Sequence, residues 1–177
     1  MVIREIITNP NPVLRRKSRP VTEYGENLQR LIDDMVETMR QEPGIGLAAP
    51  QVSVSQRVIV VEYGDESGGT PNDDVDEPAP PKLYVVINPE ITRFSEEREI
   101  STEGCLSVPG LLGDVERSLE VTVKGKSRRG QPAKIKAKGW LARIFQHEVN
   151  HLDGVVFIDK AIKVWEMSDD APGPAMS

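Results

Sequence analysis

A chain of 177 residues, 38% hydrophobic and 28% charged, is long enough for one domain with a buried core. It has no apolar run of the ~20 residues that cross a bilayer and no signal-peptide pattern at its start. Of its 28 acids, seven lie in residues 62–81, and the other 21 nearly balance the 22 bases. This balance predicts no direct nucleic-acid binding, and the lack of a long apolar run predicts no membrane partner. A single cysteine excludes an intramolecular disulfide, so we expect a cytoplasmic protein.

The first predicted elements are a proline-rich arm and a long amphipathic helix. Two prolines within residues 9–15 disfavour a helix, so we expect an extended arm there. Between residues 25 and 41, apolar residues recur at helical spacing, which predicts a helix with one buried face that ends before Pro43-Gly44. The apolar positions of this helix are Leu28, Leu31, Ile32, Met35, Val36 and Met39.

Four strands are predicted after this helix. Residues 57–63 and 83–91 are rich in β-branched side chains, which favours buried strands. Residues 115–124 and 131–138 flank a turn, and the second run alternates small or apolar residues with lysines, as a half-exposed strand does. Residues 64–81 are rich in Gly, Pro and acids, so we expect a flexible, acidic insertion loop there.

The last predicted element is a helix over residues 140–152. Apolar residues again recur at helical spacing in this run, and Gly154 is placed to end the helix. The residues that follow, 166–177, are polar and contain prolines, so we expect a disordered tail.

Both histidines of the chain lie in one run, His147-Glu148-Val149-Asn150-His151, which is an H-E-x-x-H motif. Positions i and i+4 share one face of a helix, so the two imidazoles can bind the same metal ion. Glu148 can then reach a water on that metal without binding the metal itself. A match of this kind can arise by chance on a charged helix, but here it takes up every histidine. The motif therefore predicts a metal-dependent hydrolase.

A catalytic metal site needs a third protein ligand, and the sequence leaves two kinds of candidate. The longer motif H-E-x-x-H-x-x-G-x-x-H is matched as far as Gly154, but Phe157 stands where its third histidine would be. The third ligand is therefore Cys105 or a carboxylate. A lone cysteine is more often a small buried hydrophobe, whereas a His₂Cys set would leave a fourth position for water.

A third candidate region is the glycine-rich segment GIGLAAPQ, residues 44–51. Its glycines allow the backbone to approach a ligand closely, although a plain connection between a helix and a strand would explain them equally well. The segment ends at Gln51, whose side-chain amide can donate a hydrogen bond to a developing oxyanion.

Together the three segments resemble the peptide deformylase family, which carries G-x-G-x-A-A-x-Q, E-G-C-x-S and H-E-x-x-H in this order. Here they read GIGLAAPQ from Gly44, EGCLS from Glu103 and QHEVNHLDG from Gln146. The resemblance implies an α+β fold, with small antiparallel β-sheets packed around a central H-E-x-x-H helix and with an N-terminal helix. It also implies a single catalytic domain over residues 1–165.

The resemblance implies removal of the formyl group from N-formylmethionyl nascent polypeptides, which releases formate, and a transient association with the ribosome. It implies one Fe²⁺ ion per chain, held by Cys105, His147 and His151, with Zn²⁺, Ni²⁺ or Co²⁺ as substitutes. Glu148 would take a proton from water and pass it to the leaving amine. The alternative is a metallopeptidase that uses the same helix and a carboxylate as third ligand, and that would tolerate the loss of Cys105.

The remaining site residues are also implied by the resemblance. Gln51 and the backbone N–H of Leu106 would stabilise the oxyanion. Gly46 would pair with the substrate peptide as an added strand. Ile45 and Ile144 are candidates for the apolar pocket that receives the methionine side chain.

Overall fold

The structure, a computed structural model, describes residues 1–64, 80–168 and 173–174. Its helices are α1 (Glu26–Gln41), α2 (Gly139–Leu152) and the short α3 (Phe157–Lys160), with 3₁₀ turns at Pro12–Arg15 and Ala49–Val52. Its strands are β1 (Gly46–Ala48), β2 (Val58–Tyr63), β3 (Lys82–Phe94), β4 (Arg98–Cys105), β5 (Val108–Ser118), β6 (Glu120–Lys126), β7 (Pro132–Lys138) and β8 (Lys163–Glu166).

The strands form two antiparallel sheets. The first sheet has the order β1-β2-β3-β6-β7, and the second has the order β4-β5-β8. Strand pairing is antiparallel throughout both sheets. The predicted α+β class, with small antiparallel sheets beside the H-E-x-x-H helix and an N-terminal helix, is confirmed.

Strand β2 of the five-stranded sheet is buried on both faces over residues 58–61, which explains its continuous apolar run. Val58 and Val60 point to the side of α1, where they join a core cluster with Met35. Ile59 and Val61 point to the opposite side and belong to the cluster that contains α2. The helix with the metal-binding motif is therefore fixed against one face of the sheet.

Two local predictions were wrong. Residues 115–124 are not one strand, because β5 ends at Ser118 in one sheet and β6 begins at Glu120 in the other. The β-branched residues continue across this junction, so only the pairing partners reveal the break. The N-terminal arm is not fully extended either, since the Asn11 side chain accepts a hydrogen bond from the Val13 N–H and caps a 3₁₀ turn.

The N-terminal arm joins the three segments that were predicted to carry the chemistry. The Ile7 N–H donates to the Gln51 carbonyl at 2.8 Å, and the Asn9 N–H donates to the Ser107 carbonyl at 2.7 Å. Farther along, the Ser18 N–H donates to the carbonyl of Leu152 at the end of α2. The arm therefore ties together the glycine-rich segment, the loop after Cys105 and the metal-motif helix.

Two predicted regions fall mainly outside the described residues. The acidic insertion, residues 64–81, is described only at its two ends, and the tail is described only at 166–168 and 173–174. Neither long helix of the described part has the length and apolar character that a membrane span requires.

The Asn88 side chain anchors the arm to β3, which gives a stability prediction. Its Oδ1 accepts a hydrogen bond from the Val21 N–H, and its Nδ2 donates to the Val21 carbonyl. Asn88→Ala leaves both backbone groups without this partner, so we expect a loss of about 1–3 kcal/mol in the free energy of unfolding. Urea denaturation should show a lower midpoint with an unchanged slope.

The control for this prediction lies on the same strand. Thr92→Ala removes an exposed hydroxyl whose hydrogen bond to the Thr122 carbonyl is long, at 3.5 Å, and it should change the free energy of unfolding by less than about 0.5 kcal/mol. Equal midpoints for the Asn88 variant and the original chain would contradict the anchoring role.

Candidate metal centre

The two histidines and the cysteine meet in one buried place. His147 and His151 lie one turn apart on the inner face of α2, with 2% and 1% of their surfaces exposed. Cys105 is the last residue of β4 and is buried beside them. The three possible ligand atoms lie within 4.8 Å of one another. Of the two kinds of third ligand left open by the sequence, the structure thus brings Cys105 to the histidines.

The donor set fits a divalent metal ion. Bond lengths of about 2.3 Å to sulfur and about 2.0 Å to nitrogen, at a tetrahedral angle, place two ligand atoms about 3.5 Å apart. Cys105 Sγ lies 3.4 Å from His151 Nε2. His147 Nε2 is buried and has no hydrogen-bond partner among the described residues, so it is available to a metal.

The buried carboxylate of Glu103 orients His147 from behind. His147 Nδ1 lies 2.9 Å from Glu103 Oε1, which fixes the ring with Nε2 directed away from the carboxylate. Glu103 is fully buried and also accepts hydrogen bonds from Arg117, at 2.9 Å to each oxygen, and from Arg143 at 2.6 Å. Arg117 also donates to Asn150. The guanidinium groups of Arg117 and Arg143 therefore balance the negative charge of the buried Glu103 carboxylate, which orients His147.

This arrangement shifts the pKa values of Glu103, His147 and His151. Burial by itself would raise the pKa of Glu103, but the hydrogen bonds with His147 and Arg117 outweigh it and hold that pKa well below its usual range. Burial would lower the pKa of His147, but its interactions with Cys105 and Glu103 raise it. A metal must therefore displace a proton from this site. Burial and the neighbouring His147 lower the pKa of His151, which favours the neutral ligand form.

The Gln51 amide is held with its nitrogen toward the cysteine. Gln51 is fully buried, and its Oε1 accepts a hydrogen bond from the Ala48 N–H at 3.0 Å. Its Nε2 donates to Ser107 Oγ at 3.1 Å and lies 3.7 Å from Cys105 Sγ. The backbone of β1 thus directs the donor end of the amide into the metal centre.

Glu148 packs directly against the glycine-rich segment. It is fully buried on α2, and a Cβ atom added to Gly46 would lie only 2.5 Å from its Oε1. Real Cβ atoms do not approach other atoms so closely, so the position of the carboxylate depends on a residue without a side chain at 46.

The other predicted site residues lie around this centre. Leu106 follows Cys105 in the turn between β4 and β5 and is half-buried. Ile144 is fully buried in the core between α2 and the sheet, and Ile45 packs against the same cluster. Their roles toward a substrate remain predictions.

Sequence reasoning did not assign roles to Glu103, Arg117 and Arg143. Two spacings in the sequence could have indicated Glu103 and Arg143. Glu103 and Cys105 are separated by two positions, so they share one face of a strand. Arg143 precedes His147 by four positions and shares one face of the helix with it. No pattern in the sequence points to Arg117, whose place depends on the pairing of β5 with β4. Phe157, which replaces the third histidine of the longer motif, stacks on His147.

A buried pair of histidines, a cysteine and an adjacent glutamate define the class of metal-dependent hydrolases. Comparison with known proteins narrows this class. The family of polypeptide deformylases matches residues 3–166 of the chain. A peptide deformylase of Halothermothrix orenii is 48% identical over 166 residues, which cover 94% of this chain and 98% of that protein.

Solved structures agree with the sequence comparison. The crystal structure of peptide deformylase from Thermotoga maritima has a TM-score of 0.79 and 39% identity, over 92% of this chain and all of that chain. A Met-Ala-Ser-bound class I type b peptide deformylase from Acinetobacter baumannii has the same TM-score and 36% identity, over 90% of this chain and 98% of that chain. The chain belongs to the polypeptide deformylase family, a family of metal-dependent hydrolases that remove the N-formyl group from nascent peptides.

The Glu103 network gives a prediction about metal affinity. Glu103→Gln keeps the size of the side chain but removes the charge that orients His147 and compensates two arginines. Because outer-shell partners of this kind typically contribute 10–100-fold, we expect metal affinity to fall by about that factor. Competition with a chelator, well below the unfolding temperature, measures it. Glu116→Gln, which breaks an exposed ion pair with Arg98, is the matched control and should not change the affinity.

The lowered pKa of Glu103 makes the stability of the folded protein depend on pH. The Glu103 carboxylate stabilises the folded protein at pH values above the pKa that it has in the unfolded chain, and this stabilisation is lost as pH falls through the lower pKa of the folded protein.

The orienting role of Glu103 would be contradicted if the Glu103→Gln and Glu116→Gln variants bound the metal with the same affinity.

The contact between Gly46 and Glu148 gives a prediction about activity. Gly46→Ala should displace the carboxylate by a few tenths of an ångström or more, since the added Cβ overlaps its position. We expect kcat/KM for formate release to fall by about 10²-fold, because small misplacements at a reacting centre cost that much. Metal content should stay unchanged, and full activity with bound metal would refute this reading.

Proposed function

We propose that the chain holds one Fe²⁺ ion through Cys105, His147 and His151 and removes the formyl group from N-formylmethionyl nascent polypeptides in the cytoplasm. Zn²⁺, Ni²⁺ or Co²⁺ can take the same place, because a His₂Cys donor set suits several divalent ions. The observation that carries the proposal is the meeting of three separate segments, with their cysteine, histidines and glutamine, in one buried centre.

Bound at this site, a divalent ion supplies Lewis-acid chemistry, since it lowers the pKa of water and polarises a carbonyl. The chain contributes the proton carrier. Glu148 takes a proton from the attacking water and delivers it to the leaving amine. Its burial against Gly46 holds the carboxylate in place and keeps bulk water away from it.

The oxyanion that develops at the formyl group needs positioned donors. Gln51 Nε2 supports this role, because the hydrogen bond from Ala48 to Oε1 leaves the nitrogen directed toward Cys105. The N–H of Leu106, the residue after Cys105, is the second proposed donor. The folded backbone holds both the Gln51 amide and the Leu106 N–H in position, so these donors need little reorganisation during the reaction.

The substrate peptide can extend the five-stranded sheet. Strand β1 is an edge strand, paired within the described sheet only with β2, and it begins at Gly46. An open strand edge binds an extended peptide through main-chain hydrogen bonds. The Acinetobacter baumannii relative is described as Met-Ala-Ser bound, which supports a methionine-first peptide here. Ile45 and Ile144 are proposed for its side-chain pocket.

The metallopeptidase alternative is disfavoured by the environment of Glu103, the carboxylate that contacts His147 in the described part of the chain. Glu103 lies on the Nδ1 side of His147, and both of its oxygens are engaged by arginines. Cys105 occupies the position beside His151 instead. A carboxylate-ligated peptidase therefore has no support in this geometry.

The role of Glu148 is tested by a truncation. Glu148→Ala removes the proton carrier but none of the three proposed ligands, so kcat for formate release should fall by about 10²-fold or more with the metal retained. Cys105→Ala is the matched comparison and should lose the metal as well as the activity. Near-full turnover by the Glu148 variant would rule out its proposed role.

The activity itself is tested with one substrate and two readouts, formate release and peptide-bond cleavage. The metallated protein should release formate from formyl-Met-Ala-Ser and should leave internal peptide bonds intact. Peptide-bond cleavage that survives Cys105→Ala would favour the peptidase, and a lack of formate release from fully metallated protein would refute the deformylase assignment.

A further inference from the structure

The hairpin formed by β6 and β7 concentrates positive charge on an otherwise acidic chain. Residues 121–138 contain seven of the 22 basic residues and no acid, so the remaining residues carry 28 acids and only 15 bases. The near-balance of charge outside residues 62–81, which predicted no nucleic-acid binding, therefore hides a strong local imbalance.

Four lysines of this hairpin form one surface, here called the basic face: Lys124, Lys126, Lys134 and Lys136. Lys124 lies directly opposite Lys134, and Lys136 is paired with Thr122. Residues two positions apart on a strand share one face, about 7 Å from each other, so the four ammonium groups project from the same side of the hairpin. All four lysines are exposed.

The charges of the basic face are compensated only in part: Glu90 of β3 lies directly opposite Lys124, whereas no acid lies opposite the other three lysines in the strand register. None of the four lysines forms an ion pair with an acid within the described ranges, whereas Lys138 is paired with Glu120 and Arg128 with Asp33. Like charges placed directly opposite each other on neighbouring strands destabilise a sheet. The pairing of Lys124 with Lys134 is therefore unfavourable, and Glu90 offsets it only on the β3 side of Lys124.

Protection of a sheet edge explains only part of this pattern. Lysines on edge strands prevent unwanted pairing with other chains, and β7 is an edge strand. Strand β6, however, lies between β3 and β7 and has no edge to protect. Its Lys126 lies opposite Ile87 and Pro132, so neither edge protection nor pairing with an acid explains this lysine. A second reason for the positive charge is required.

We propose that the basic face binds the phosphate backbone of RNA. Lysine ammonium groups bind phosphates as point charges, and clustered lysines on one face are the usual electrostatic footprint of nucleic-acid binding. The face lacks the aromatic or aliphatic side chains that insertion into a membrane surface requires and that anchor protein interfaces. The choice of RNA over DNA rests on the proposed function, since nascent polypeptides are made on RNA.

The basic face leaves the metal centre open. Val121, Val123 and Ala137, which alternate with the residues of the basic face, pack in the core cluster that contains α2. The lysines therefore point away from the helix with the metal ligands. RNA bound there would dock the enzyme without covering its site.

The test measures RNA binding separately from formate release. Fluorescence anisotropy with a labelled 20-base-pair RNA duplex compares the original chain with a variant that combines Lys124→Ser, Lys134→Ser and Lys136→Ser. The matched control combines Lys17→Ser, Lys160→Ser and Lys163→Ser, which removes the same charge from exposed lysines elsewhere. Circular dichroism verifies folding, and all three proteins should release formate from a short substrate at equal rates.

We expect the basic-face variant to bind RNA at least tenfold more weakly at 50 mM salt, with the slope of log K against log salt reduced by about 3, one for each lost phosphate contact. The control should stay within twofold of the original chain. Equal weakening in both variants, no RNA binding by the original chain, or equally tight binding to anionic vesicles would overturn the proposal. Because these outcomes do not depend on formate release, failure of RNA binding and failure of the proposed function are distinguishable.

Discussion

The metal centre depends on one buried carboxylate. Glu103 is fully buried, and its oxygens hold the Nδ1 side of His147 and the guanidinium groups of Arg117 and Arg143. A buried carboxylate without such partners would become protonated and lose its ability to orient an imidazole. The two arginines keep it ionised, and they also connect β4, β5 and α2 through one ion cluster. The same interaction therefore maintains the charge, the ring orientation and the contact between the second sheet and the helix.

The predicted site residues come from three distant parts of the chain, and ordinary backbone hydrogen bonds bring them together. The N-terminal arm bonds to the segment of Gln51 and to the loop after Cys105. Gln51 in turn donates to Ser107 and approaches Cys105. Gly46 lets strand β1 approach Glu148 more closely than any other residue would. Precise placement thus results from the packing of rigid elements, and the open edge of β1 stays available to a peptide.

The sequence predicts the two long helices and, within a residue or so, the bounds of β2 and β7, because the apolar pattern of these elements is strong. It does not predict β1, β4 or β8, and it places the end of β3 three residues too early. It also predicts the meeting of His147 with His151, since helical geometry alone brings them together. It does not predict the junction at Leu119, where continuous β-branched character conceals a change of sheet. Nor does it predict the place of Arg117 or the facing lysines of β6 and β7, because these depend on strand register. The local apolar pattern thus determines the helices and strands, whereas the pairing of strands in the folded chain determines which charged side chains lie next to each other.

The central claim is that a single metal ion, held by Cys105, His147 and His151, supports hydrolysis of the formyl group. The most direct measurement is a titration of metal-free protein with Fe²⁺ under anaerobic conditions, with formate release from formyl-Met-Ala-Ser measured at each step. The account predicts that activity rises linearly and stops rising at one equivalent of iron per chain. Formate release without metal, or a plateau at two equivalents, would contradict it.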